Sequence, residues 1–77
     1  MDTADRSEAV LRTVAEVLQV PRVTATDSFY DFGGTSLQAM RICARLKKGA
    51  GIAIRPEVLF ESDTLAGVVA AAGRGDR

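Results

Sequence analysis

Helical spacing of apolar residues, interrupted by proline and glycine, sets what this chain can fold into. Val10, Leu11, Val14, Val17 and Leu18 recur at three- and four-residue steps and draw one apolar stripe. The stripe predicts a first helix over Asp5–Leu18, stopped by Pro21, with Asp5 and Glu8 at capping-box spacing. Glu8, Arg12 and Glu16 fall on its other side, placed to pair along the helix. A second helix is expected over Ser36–Lys48, with Ala39, Ile42, Cys43 and Leu46 as its core stripe. Gly49 and Gly51 end it, and Lys47 and Lys48 sit in the last turn, where the helix dipole favours cations.

After an extended joint at Ile52-Ala53-Ile54, Pro56 suits the first position of a short third helix that buries Val58, Leu59 and Phe60. Ser62, Asp63 and Thr64 offer caps for a last helix over Leu65–Ala72, with Leu65, Val68, Val69 and Ala72 inward. Residues 73–77 read as a frayed tail. The expected fold class is all-α: four helices, the third short, and a long first loop. With 77 residues the chain is expected to form a single domain.

The loop from Pro21 to Thr35 has no period and is rich in Thr, Asp, Ser and Gly. Loops of this length in small domains tend to be functional. One helical turn is expected at Asp27-Ser28-Phe29. Phe29, Tyr30 and Phe32 lie here, and Phe29 and Phe32 are expected to pin the loop to the helices.

The second helix has a second apolar stripe, Leu37, Met40 and Ala44, beside Arg41, Arg45 and Lys48. A helix apolar on two sides is either deeply buried or offers one side to a partner. For Leu37 the spacing leaves both open.

Composition removes several kinds of chemistry. There is no histidine and one cysteine, so no Ser–His or Cys–His pair, no internal disulfide and no Cys₄ or Cys₂His₂ zinc site can form. Cys43 reads as a small core residue. Ten basic and ten acidic residues balance, which argues against a nucleic-acid binder. The acidic, polar start lacks the pattern of a secretory signal, and no run is long enough to span a membrane. A cytoplasmic location is expected. Arg74-Gly75-Asp76, the tripeptide of cell-adhesion ligands, reads as coincidence in such a chain.

Gly33-Gly34-Thr35-Ser36-Leu37 joins the loop to the second helix. A serine there offers its hydroxyl beside unpaired N–H groups and the positive end of the helix dipole, which suit a phosphate ester. The glycines allow left-handed backbone and a close approach. A serine nucleophile is disfavoured, because no histidine can activate it and Lys47 and Lys48 lie about three turns away. The plainer reading makes Ser36 an ordinary helix cap.

The wider stretch Asp27-Ser28-Phe29-Tyr30-Asp31-Phe32-Gly33-Gly34-Thr35-Ser36-Leu37, followed by Ala39-Met40-Arg41 and Ala44-Arg45-Leu46, closely resembles the peptidyl carrier (thiolation) domains of nonribosomal peptide synthetases. Val58-Leu59-Phe60-Glu61 and Thr64-Leu65 match the same family's later pattern. Phe32 stands where an aliphatic residue is usual, and Asp63 where proline is common. The basic second helix differs from the acidic one of fatty-acid carriers.

The resemblance implies a four-helix bundle of the acyl-carrier type, without catalytic residues of its own. It implies 4′-phosphopantetheine on Ser36, within Gly33, Gly34, Thr35 and Leu37, attached from coenzyme A by a magnesium-dependent phosphopantetheinyl transferase. The arm would hold an aminoacyl or peptidyl thioester and present it to an adenylation enzyme and to condensation or tailoring enzymes. Leu37, Met40, Arg41, Ala44, Arg45 and Val58 would form the partner face of a monomer that binds neither nucleic acid nor membrane. The Met1 start and the short ends favour a free-standing carrier over an excised module as the expectation. The alternatives are an acyl carrier of a polyketide or aryl-acid pathway and, more remotely, an unmodified helical adaptor.

Overall fold

The computed structural model describes residues 3–74, with side chains from Arg6 to Ala71. Its helices are α1 (Thr3–Leu18), α2 (Ser36–Ala50), α3 (Pro56–Glu61) and α4 (Leu65–Arg74), with a 3₁₀ turn at Tyr30–Phe32. No strand occurs among the described residues. The all-helical expectation holds, including the short third helix that opens on Pro56. α1 packs on α2 and α4, and α3 bridges α2 and α4.

The periodic positions make the core. Val10 and Val14 of α1, Ala39, Ile42 and Leu46 of α2, Leu59 of α3 and Leu65 of α4 have no exposed surface. Each of the larger side chains contributes about 1.5–3 kcal/mol by leaving water. Cys43 is only half-buried at the edge of this core. Val23 and Ile52, outside the helices, are buried as well.

Several boundaries differ from expectation. α1 begins at Thr3, so Asp5 lies inside the helix and does not cap it; the Asp5 side chain is outside the described residues. At its other end Gln19 takes a left-handed φ of 60° and the Val20 N–H donates to Ala15 O (3.1 Å). The chain therefore turns before Pro21 is reached, at the steric cost a Cβ carries in that conformation. Glu16 meets Arg45 of α2 at 3.4 Å and not Arg12 of its own helix. α2 runs through Gly49 to Ala50, and Gly51 alone closes it, with a φ of 67° and its N–H donating to Leu46 O. α4 extends to Arg74, so 73 and 74 are helical, and 75–77 lie outside the described residues. Ala72, expected on its inward face, has no described side chain.

The long loop is tied at three places. The first two N–H groups of α4, from Leu65 and Ala66, donate to Asp27 O (2.8 Å) and Ala25 O (2.9 Å). These two orphan donors are thus satisfied across the fold, not by a Ser62, Asp63 or Thr64 side chain. The Thr24 N–H donates to the Asp27 carboxylate (2.8 Å). Phe29 is buried and meets Phe60 of α3 edge-on, with ring centres 5.2 Å apart. Phe32 packs against the core. The helical turn lies at Tyr30–Phe32, after Phe29 and not over Asp27–Phe29. Phe29 is held by burial of its ring, and the turn lies directly after it in the chain.

Candidate functional site

Gly33 to Leu37 come together at the N-terminus of α2, and each position has its own local cause. Gly33 ends the 3₁₀ turn with a φ of 71°, its N–H donating to Tyr30 O (2.9 Å). That left-handed angle favours glycine. A side chain at Gly33 would meet nothing, so the space beside it is open. Gly34 answers a different demand. A Cβ there would run into the Phe29 ring. The aromatic that pins the loop therefore requires the glycine next to the helix.

The helix cap is Thr35, not Ser36. The Gln38 N–H donates to Thr35 Oγ1 (3.2 Å), and the Thr35 N–H donates to Gln38 Oε1 (3.0 Å). This is a reciprocal capping box. Ser36 is the first helical residue, its side chain exposed. Among the described residues its hydroxyl has no hydrogen-bond partner, nor do the N–H groups of Ser36 and Leu37. The reading of Ser36 as an ordinary cap is thereby removed: another side chain does that work.

Two free N–H donors, the positive end of the α2 dipole and open space at Gly33 surround an unengaged hydroxyl. These residues fit a phosphodiester on Ser36, because an ester there displaces no internal bond and meets no side chain at Gly33.

The second stripe of α2 lies at the surface. Leu37 and Met40 are 57% and 58% exposed, and Ala44, Arg41 and Arg45 are exposed too. Leu37 is thus no part of the core. Val58 of α3 is half-buried and lines a cleft with Cys43 and Ala44. Burial pushes the Cys43 thiol above its ordinary pKa, and the Glu57 carboxylate adds to the shift, so the thiol is held neutral.

Sequence reasoning missed two residues here. Tyr30 is as exposed as Met40 and leans edge-on against Phe60, with ring centres 5.6 Å apart. Only Phe29 and Phe32 were expected to pin the loop, and no period in the sequence pointed to a Tyr30–Phe60 contact. Gln38 was legible: Thr35-x-x-Gln38 has capping-box spacing.

The chain is similar to known proteins over most of its length. Residues 8–72 match the family described as "Phosphopantetheine attachment site". A dimodular nonribosomal peptide synthase of Bacillus subtilis is 42% identical over 53 residues, which are 69% of this chain and 2% of that protein. Surfactin synthase subunit 3 of the same organism is 36% identical over 66 residues, 86% of this chain and 5% of that protein. Tyrocidine synthase 3 of Brevibacillus parabrevis is 40% identical over 72 residues, 88% of this chain and 1% of that protein. The chain thus spans only a small fraction of these relatives. Among solved structures, BlmI, a type-II acyl-carrier protein of Streptomyces verticillus involved in bleomycin biosynthesis, shares the fold. Its TM-score is 0.82 at 24% identity, over 94% of this chain and 87% of BlmI.

Proposed function

Since the chain belongs to the phosphopantetheine-attachment family, whose members carry that group covalently, we propose that Ser36 is its attachment residue. One observation carries the assignment. Thr35 and Gln38 cap α2 between them, which leaves the Ser36 hydroxyl exposed and the Ser36 and Leu37 N–H groups unpaired. Those N–H groups would hold the phosphate, and Gly33 and Gly34 would keep its approach clear. Once attached, the group supplies a terminal thiol for a cargo. The chain itself acts as a shuttle, not a catalyst: it holds, presents and releases.

The cargo is an aminoacyl or peptidyl group in nonribosomal peptide synthesis. The identity to peptide synthetases over most of this chain supports that reading. Its partners are a phosphopantetheinyl transferase, an adenylation enzyme and condensation or tailoring enzymes. Leu37, Met40, Arg41, Ala44, Arg45 and Val58 receive them. Large apolar side chains left in water on a small helical protein support a docking role. Among the described residues no helix is long and apolar enough to cross a membrane.

The test is intact mass after incubation with coenzyme A, magnesium and a broad-specificity transferase. A gain of one phosphopantetheine group, absent in Ser36→Ala, is expected. An unmodified but folded wild-type protein would remove the proposal.

A further inference from the structure

Charge is distributed unevenly over this neutral chain. α2 carries Arg41, Arg45, Lys47 and Lys48 and no carboxylate. All four are exposed. Arg45 is held by Glu16 of α1, whereas Arg41, Lys47 and Lys48 make no ion pair among the described residues. At about 3.6 residues per turn, Leu37, Ala44 and Met40 form a spine along the exposed face. Lys47 borders the spine on one side, and Arg41 and Lys48 on the other.

Beside Lys47 the surface opens into a cleft of about 520 Å³ between α2, the link before α3, α3 itself and Ala71 of α4. Cys43, Ala44, Ile54 and Val58 give it apolar walls, and Lys47 and Arg55 are its charged members. No carboxylate lines it. Glu57, close enough to bear on the Cys43 thiol, is not among the lining residues. The other described carboxylates nearby in sequence belong to the loop (Asp27, Asp31) and to the end of α3 and beyond (Glu61, Asp63).

We propose that the exposed face of α2 and this cleft form a docking surface for a protein of opposite charge. The partner presents an apolar strip bordered by carboxylates, and one of its apolar side chains enters the cleft. The inference rests on the carrier reading and names the chemistry of the partner. Charge complementarity selects it: cations border the apolar spine on both sides and edge the cleft, and none of Arg41, Lys47, Lys48 or Arg55 is neutralised internally. A phosphate backbone would use the cations but leave Leu37, Met40 and the cleft wall unburied. Exposed charges add little to lifetime and much to encounter rate. A carrier that must bind and let go many times needs that combination.

The test uses two amphipathic helical peptides titrated into the nitrogen-labelled 77-residue chain. Both carry leucines on one face; the other face is glutamate in one and lysine in its counterpart. The glutamate peptide should move the amide signals of Met40, Ala44, Lys47, Ile54 and Val58. Its affinity should fall about fivefold or more when salt rises from about 0.05 M to about 0.3 M. The lysine peptide should move none of them. Arg41→Glu with Lys47→Glu should abolish the shifts, Lys47→Gln should weaken them, and Arg22→Glu, in the first loop, should leave them unchanged.

Equal shifts from both peptides, shifts on another face, no shift at all, or indifference to Lys47→Gln would overturn the proposal. So would a short DNA duplex that perturbs the same residues as strongly. Loading of Ser36 is measured on the same samples by mass. A protein that binds the peptide without taking up the arm keeps the surface and loses the carrier reading. A protein that loads but ignores the peptide does the reverse.

Discussion

The two faces of α2 have similar apolar chemistry and opposite fates. Ala39, Ile42 and Leu46 have no exposed surface, while Leu37 and Met40 keep more than half of theirs. The buried face meets α1 and α3; the other is exposed among the described residues. Apolar character therefore holds the fold on one side of the helix and is left in water on the other. Period found both stripes and marked the first as core, but could not say whether the second was covered as well. That is decided by where α1 and α3 pack, which is a property of the whole chain.

Substitutions should separate the two faces, and the expected effects fall in order of size. Leu46→Ala removes a fully buried side chain and should cost about 2–5 kcal/mol in chemical denaturation. In a domain this small the protein should be largely unfolded or close to it. A cost under about 1 kcal/mol would mean that the inner face is not the core. Thr35→Ala removes the capping oxygen for the Gln38 N–H and should cost about 1 kcal/mol in the same measurement. An unchanged midpoint would return the cap to Ser36. Met40→Asp should change stability by no more than about 0.5 kcal/mol, because its side chain lies in water. It should nevertheless slow loading or partner turnover. Destabilisation as large as that of Leu46→Ala would erase the distinction between the faces.

Much of the fold was legible because helices repeat and caps have spacing. The stripe of Val10 and Val14, Pro56 at the start of α3 and the inward Leu65 and Val68 are all read from one-dimensional order. What was misjudged depended on distant contacts. The helical turn sits after Phe29 because the ring must reach Phe60, which lies 31 positions further along the chain. Gly51 ends α2 and Gly49 does not, since both can leave a helix and the spacing of the next buried residue, Ile52, chooses between them. Val23 sits in a stretch without period, so no stripe pointed to its burial.

The site was legible in outline and not in detail. The Gly33–Leu37 run marked the place, but taken alone it left Ser36 and Thr35 both open as the cap; the Thr35-x-x-Gln38 spacing that decides for Thr35 reaches beyond it. That distinction leaves the Ser36 hydroxyl without an internal hydrogen bond among the described residues. The demand on Gly34 was equally hidden, because it comes from the Phe29 ring packed against it.

Locating the arm on the chain tests this account more directly than detecting it. Trypsin cuts after Arg22 and Arg41 and releases residues 23–41, which hold Thr24, Thr26, Ser28, Thr35 and Ser36. After incubation with coenzyme A and a transferase, fragmentation of this peptide should place the added phosphopantetheine on Ser36 alone. An arm found on Ser28 or Thr35, or a fully folded protein whose 23–41 fragment stays unmodified, would contradict it.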